Sequence, residues 1–92
     1  MSPKIAVEIS PDVLAQEFSG ETVLLDLKSE GYFGLDKTAT RIWQLLQEQR
    51  NLGEIHRIMV SEFDVDPDIL SDDLWKHLKE LETAGLIRIF EQ

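Results

Sequence analysis

The first third of the chain alternates apolar and polar residues with the two-residue period that is typical of β-strands. Residues 5–9 form the first such segment, and the turn-forming residues Pro11 and Asp12 follow it. A second apolar segment, 13–18, ends beside Gly20. This part of the chain is therefore predicted to be β-structure.

A β-hairpin is predicted over residues 22–35. Its first strand, 22–28, has an apolar face and a polar outer face, because side chains alternate along a strand. Gly31 is expected to supply a positive φ in the loop, and residues 32–35 return as the second strand. Gly34 within that strand indicates either a bulge or the close approach of another backbone. The apolar face of the first strand carries Val23, Leu25 and Leu27.

Three helices are predicted after the hairpin. Asp36, Asn51 and Asp66 are placed as N-caps, and Glu54 completes a capping box with Asn51. Gly85 is suited to the position that follows the last helix. The first helix is expected to run to residues 49–50. The apolar stripes are Ala39, Ile42, Trp43, Leu45 and Leu46, then Ile55, Ile58, Met59 and Phe63, then Leu70, Leu74, Leu78 and Leu81.

A short closing strand is predicted over residues 86–90. Short connections between three helices and a small antiparallel sheet are typical of a winged helix-turn-helix-like α+β fold. The chain of 92 residues is long enough for one core only. We therefore predict a single domain over residues 1–92, with an N-terminal antiparallel β-hairpin sheet followed by three α-helices.

Composition excludes several classes of protein. The chain has no cysteine, which removes disulfides, thiolate nucleophiles and cysteine-ligated metals, and it favours a cytoplasmic location. No apolar run approaches the ~20 residues of a membrane span. The 18 acidic residues outnumber the 9 basic ones, giving a formal net charge of -9. Nucleic acid is a poor partner for such a chain, because binding it requires a basic surface.

The acidic run from residue 62 to 73 contains a D-x-D-x-D pattern that resembles the start of a calcium loop. Ile69 stands where that loop needs glycine, and Trp75 stands where it needs a bidentate glutamate. The run is better explained as a capped helix start, whose acids complement the helix dipole.

No catalytic site is predicted. His56 and His77 lie on different helices without spaced metal ligands, so each is expected at the surface or at the rim of the core. Neither a nucleophile elbow nor a glycine-rich phosphate loop is present. The chain is expected to be neither an enzyme nor a cofactor carrier.

Trp75 borders the apolar stripe of the third helix. A large ring in that position either covers the core or forms one wall of a groove. The residues alone leave both interpretations open.

Within residues 23–46 a hydrophobic strand is followed by a polar turn, an aromatic strand and then a helix with Ile-Trp and Leu-Leu. This pattern is carried by Tyr32, Leu35, Asp36, Ala39, Ile42, Trp43, Leu45 and Leu46. It resembles the PqqD-like family of RiPP recognition elements, which bind the leader segment of ribosomally made precursor peptides. Residues 78–87 also resemble the third helix and exit of that family.

The resemblance implies that a leader peptide adds as an antiparallel strand to residues 32–35, opposite the third helix. The chain would then present its precursor to a separate enzyme, such as the leader peptidase of a lasso-peptide pathway. Two alternatives are a PqqD-type chaperone for a radical-SAM enzyme and a winged-helix DNA-binding regulator. The implied contacts are Leu25, Leu27, Tyr32, Phe33, Gly34, Leu35, Ser71, Leu74, Trp75, Leu78, Lys79 and Glu82.

Overall fold

A computed structural model describes residues 4–91 and shows an α+β fold with two small antiparallel sheets and three helices. The first and last strands form one sheet, and the second, third and fourth strands form the other in that order. This confirms the predicted fold class. The elements are β1 (Ile5–Ile9), β2 (Val13–Phe18), β3 (Glu21–Asp26), β4 (Tyr32–Leu35), α1 (Lys37–Gln47), α2 (Leu52–Phe63), α3 (Pro67–Thr83) and β5 (Ile87–Glu91).

All three predicted N-caps are confirmed. The Asp36 carboxylate accepts from the backbone N–H of Ala39 at 2.8 Å. Asn51 and Glu54 form a reciprocal capping box. Asp66 caps α3, whose first residue is proline. These caps satisfy N–H groups that a helix start otherwise leaves unbonded.

Gly85 ends α3 as predicted, with a φ of +78°. Its N–H donates to the Glu82 carbonyl, and the N–H of Leu86 donates to the Leu81 carbonyl, which together form a Schellman motif. This sharp stop directs the chain into β5.

Two local predictions are wrong in detail. α1 ends at Gln47, because Gln49 adopts a left-handed φ of 61° and cannot continue the helix. In the β3–β4 loop the positive φ of 63° belongs to Glu30 rather than to Gly31. Both residues lie in connections, where the geometry of the flanking elements decides which residue adopts a positive φ.

One hydrophobic core lies between the helices and the inner face of the three-stranded sheet. Trp43 is 3% exposed, which confirms its assignment to the core. The α3 stripe is buried as predicted, whereas Phe63 at the end of α2 is 37% exposed. The largest fully enclosed side chains are Leu24, Leu45, Leu52, Ile55, Met59, Leu74, Leu78 and Leu81.

The predicted faces of β3 are reversed. Thr22, Leu24 and Asp26 point into the core, whereas Val23 is 37% exposed and Leu25 is half-buried on the outer face. Burial of Asp26 is possible because its carboxylate accepts from the Lys28 N–H and the Ser29 hydroxyl. The outer face is consequently apolar instead of polar. It also carries Leu14, Phe18 and Tyr32, all more than half exposed.

A buried hydroxyl pair fixes the sheet against α1. The hydroxyls of Thr22 and Thr40 lie 2.9 Å apart, and the Thr40 hydroxyl donates to the Leu35 carbonyl at 3.4 Å. Both threonines are almost completely buried. This contact positions β4, because Thr22 is the register partner of Leu35.

We expect Thr40→Val to destabilise the protein by about 1–3 kcal/mol, because the Thr22 hydroxyl would lose a buried partner. Adding Thr22→Val should recover part of that loss, since the unsatisfied group is then removed as well. Urea unfolding of the two single variants and the double variant measures the coupling. Additive losses would show that the hydroxyls do not interact.

Candidate functional site

The free edge of β4 is the first part of the candidate site. Within the described residues β4 pairs with β3 on one side only. The N–H of Asp26 donates to the Gly31 carbonyl at 2.9 Å. Hydrogen-bonded residues alternate along an antiparallel ladder. Phe33 and Leu35 therefore direct their backbone groups toward β3.

The same alternation directs the backbone N–H and C=O groups of Tyr32 and Gly34 away from β3. These groups lie at the free edge, where a fourth strand can bond to them. A Cβ added at Gly34 would meet no atom within 4 Å. Gly34 has no positive φ and pairs with Val23 in a regular register, so the structure shows no bulge at this position. The edge is open and regular.

A groove between β4 and α3 is the second part of the site. It is open and mostly apolar, with Phe33 on the strand side. Lys76, Glu80 and Thr83 form the helix side, together with Lys79 and Ala84. We call the side of α3 that carries Lys76, Glu80 and Thr83 the groove flank. Phe33 is half-buried and packs against the core, so the strand side of the groove is fixed in position.

Trp75 lies on the other side of α3. Trp75 and Glu82 are seven positions apart, so the two share one side of the helix. The Glu82 carboxylate accepts from the Ile89 N–H of β5 at 3.1 Å. We call this side the β5 flank. Trp75 packs against the core from there, and it is absent from the groove lining.

Lys79 connects the two flanks. Its Nζ lies 5.8 Å from the centre of the Trp75 ring and 2.9 Å from a Glu82 carboxylate oxygen. The hydrogen bond from Lys79 and the one from Ile89 lower the pKa of Glu82. The Lys79 ammonium is thus held toward the β5 flank, although Lys79 also lines the groove. Lys76 has no ion-pair partner among residues 4–91.

The structure brings together only some of the predicted site residues. Tyr32, Phe33 and Gly34 lie along the free edge and groove, with Lys79 at its border. Leu35 and Leu78 are buried in the core. The remaining predicted residues lie elsewhere: Leu25 and Leu27 on and beyond β3, Leu74 beneath a neighbouring cavity, and Ser71, Trp75 and Glu82 toward the β5 flank.

Sequence reasoning missed Glu80 and Thr83. Their spacing from Lys76, i+4 and i+7, places all three on one face of a helix, so the signal was present. Choosing between the two flanks required knowing which one faces β4, and that depends on how α3 packs. The Trp75 contact stays a prediction, although its position favours the core-margin interpretation.

A smaller cavity of 280 Å³ lies beyond the end of β4, between the start of α1 and α3. His77 borders it, and the Nε2 atom of this residue is shielded from solvent without a hydrogen-bond partner among the described residues. Burial lowers the pKa of His77, while Glu80 and Asp36 oppose that effect. His77 is therefore a half-buried neutral histidine at the cavity wall.

Neither a membrane span nor a clustered metal site is found among residues 4–91. No helix there is long and apolar enough to cross a bilayer. No group of three or more histidine, aspartate or glutamate side chains is arranged to hold a metal ion.

These features define the class of the protein as a winged-helix-like α+β domain with an open sheet edge beside a helix groove. A family model described as coenzyme PQQ synthesis protein D (PqqD) matches residues 21–87. The chain belongs to the PqqD family. This confirms the resemblance to the PqqD-like recognition elements.

Two solved structures are similar to the chain. "TbiB1 in Complex with the TbiA(beta) Leader Peptide" is 36% identical with a TM-score of 0.85, over 88% of this chain and 94% of that one. "Lasso peptide synthetase B1 complexed with the leader peptide" is 23% identical with a TM-score of 0.82, over 89% and 96% respectively. The second likeness shows the fold alone. No curated protein matches the chain.

We expect acidification to destabilise the fold through His77. Its pKa in the folded protein is below the ordinary ~6.5, so the unfolded chain binds the proton first as pH falls. The free energy of unfolding should decrease below pH ~6.5, by at most about 1.4 kcal/mol for each pH unit. Urea unfolding at pH 7.5 and 5.5 should show a smaller decrease for His77→Gln than for the wild type.

His56 provides the matched control for this measurement. It is the other histidine of the chain, and its Nε2 lies 2.8 Å from the Pro67 carbonyl. His56→Gln should leave the His77 contribution in place. An equal decrease in the wild type and in His77→Gln would show that His77 does not titrate differently in the two states.

Proposed function

We propose that the chain binds the leader segment of a ribosomally made precursor peptide by β-strand addition to β4. The observation that carries this proposal is the free edge at Tyr32 and Gly34 beside the groove of α3. Main-chain hydrogen bonds supply affinity in such complexes, and side-chain pockets supply specificity. Membership of the PqqD family and the leader-bound TbiB1 neighbour support the same function.

The second free edge of the sheet, on β2, is a weaker candidate. The N–H of Leu27 donates to the Asp12 carbonyl, so by alternation Ala15 and Glu17 direct their backbone groups outward. Among the described residues the groove of α3 lies beside β4 and not beside this edge, where the Glu17 side chain accepts from Gln44 of α1 at 3.0 Å. A peptide on β2 would gain backbone bonds but few side-chain pockets.

The leader in this arrangement runs antiparallel to β4, with alternate side chains facing α3. Phe33 on the strand and the groove flank on the helix contact those inward side chains. Lys76 is the cation available for a leader carboxylate, since Lys79 is paired with Glu82. Outward side chains of the leader would lie next to Tyr32, on the exposed apolar face of the sheet.

We further propose that the bound precursor is held for a separate processing enzyme, with the leader peptidase of a lasso-peptide pathway as the first candidate. The alternative is a PqqD-type chaperone for a radical-SAM enzyme, and the identity of the processing enzyme separates the two. An acidic chain with a net charge of -9 disfavours the DNA-binding alternative. The neighbouring genes identify the enzyme, and a cleavage assay with and without this chain tests the presentation.

We expect Gly34→Pro to weaken leader binding, because proline removes the N–H that faces the free edge while the β3 ladder stays intact. Gly34→Ala is the matched control, since it keeps the N–H and its Cβ has open space. The loss of one hydrogen bond corresponds to a roughly two- to tenfold weaker Kd. Fluorescence anisotropy with a labelled leader peptide measures the Kd of both variants.

Equal affinity of Gly34→Pro and Gly34→Ala would exclude the β4 edge as the binding strand. Circular dichroism must show that both variants are folded. Proline at position 33 is a less informative test, because the Phe33 N–H faces β3 and its removal would damage the hairpin itself.

The two flanks of α3 are distinguished by placing the same large side chain on each. Thr83→Arg would fill the groove and should weaken leader binding by roughly tenfold or more, equivalent to at least about 1.4 kcal/mol. Ser71→Arg alters the flank that carries Trp75 and should change the Kd less than twofold. The opposite pattern would assign the leader to the β5 flank, as the prediction for Trp75 requires.

A further inference from the structure

The sheet of β1 and β5 has one edge that α3 closes. The Ser10 N–H donates to the Leu86 carbonyl at 3.0 Å, so these two residues form a hydrogen-bonded pair next to the ladder. By alternation Ile89 directs its backbone groups away from β1, and the Glu82 carboxylate accepts from its N–H at 3.1 Å. A side chain of α3 therefore blocks the middle of the outer edge of β5.

The other edge of this sheet, on β1, is open. Among residues 4–91 β1 pairs with β5 alone. Val7 is the register partner of Ile89, so it also directs its N–H and C=O away from the ladder. Ile5 and Ile9 do the same, because they lie two positions to either side. Such a row of outward backbone groups is a template for another strand.

An open groove of 610 Å³ runs along the β1 edge. Four consecutive residues of β1, 6–9, line it, although successive side chains of a strand face opposite sides of the sheet. The groove therefore follows the edge of the strand and not one of its faces. Gln47 at the end of α1 and Gln49 and Arg50 after it lie on the opposite side. Space for a further strand is present beside β1.

The β1 edge lacks most of the features that prevent pairing between copies of a protein. Proteins commonly block an exposed edge with proline, lysine or a bulge. Residues 5–9 contain neither proline nor lysine, and their register with β5 is continuous. The outward positions are the β-branched Ile5, Val7 and Ile9, which favour strands. Glu8 is the one charged residue of β1.

We propose that two copies of this chain associate through their β1 edges, antiparallel about a twofold axis at Val7. Val7 then lies opposite Val7 of the second copy, and Ile5 lies opposite its Ile9. The two-stranded sheets join into one continuous sheet in the order β5, β1, β1, β5. The inference goes beyond the proposed leader binding and does not depend on it, since β4 belongs to the other sheet.

The β1 edge is self-complementary in this register. Each outward residue exchanges both of its backbone hydrogen bonds with the residue opposite. Pairs of β-branched side chains are favourable across strands, and Glu8 lies opposite Ala6, so like charges do not meet. Ala6 lines the groove together with Arg50, which gives the Glu8 carboxylate of the second copy a basic neighbour. A twofold axis satisfies the edges of both copies at once.

Sedimentation velocity over a concentration series tests the association. At ~0.15 M salt the Debye length is about 8 Å, so the repulsion between two net charges of -9 is largely screened. The wild type should pass from monomer to dimer as its concentration rises. Val7→Pro removes the outward N–H at the twofold axis from both copies and leaves the β5 ladder intact. Val7→Ala is the matched control, since it keeps that N–H.

The loss of two hydrogen bonds should make the dimer Kd of Val7→Pro roughly five- to hundredfold higher than that of Val7→Ala. Circular dichroism checks that both variants are folded. Amide hydrogen exchange of the wild type locates the contact without any substitution. Raising the protein concentration should protect the Ile5, Val7 and Ile9 amides and leave those of Tyr32 and Gly34 unchanged.

A wild type that stays monomeric up to ~1 mM would overturn the inference. So would equal dimer affinity of the two Val7 variants, or concentration-dependent protection of β2 or β4 in place of β1. The leader titration with Gly34→Pro and Gly34→Ala is a separate measurement. Dimerisation without leader binding would contradict the proposed function alone, whereas leader binding by a chain that stays monomeric would contradict the β1 contact alone.

Discussion

The alternation of hydrogen bonds along β4 is the constraint on which the candidate site depends. A residue of an antiparallel strand directs its backbone groups to one neighbour or the other, never to both. Once Phe33 and Leu35 bond to β3 and turn their side chains inward, Tyr32 and Gly34 must present their backbone groups to the open side. The hydroxyl pair of Thr22 and Thr40 holds this register against α1. The register of β4 against β3 therefore decides both which side chains enter the core and which backbone groups face the free edge.

The asymmetry of α3 follows from how that helix is anchored. Its buried stripe packs between the sheets, leaving one flank toward β4 and the other toward β5. Glu82 ties the second flank to the backbone of Ile89, and Lys79 is held there as well. The groove flank consequently keeps its side chains available, with Lys76 as its cation. An open groove thus remains beside β4, although the rest of the helix is packed.

The sequence predicted the element types and the capped helix ends well, because caps are local. Asp36, Asn51, Asp66 and Gly85 act on neighbouring backbone groups, so no tertiary information was needed to place them. The two faces of β3 were assigned the wrong way round, because the face with Val23 and Leu25 is the more apolar one and was expected to point into the core. Asp26 is buried because a turn satisfies its carboxylate, which hydrophobicity patterns do not report. The sequence could not show which flank of α3 faces β4 for a similar reason, because that depends on how the helix packs.

The most direct test of strand addition is amide hydrogen exchange, followed by NMR with and without the leader peptide. Free-edge amides exchange through solvent contact, and a new strand protects those that it bonds. The account predicts that the Tyr32 and Gly34 amides become strongly protected on binding, while Ala15 and Glu17 on the β2 edge do not change. Protection of Ala15 and Glu17 with Tyr32 and Gly34 unaffected would contradict it.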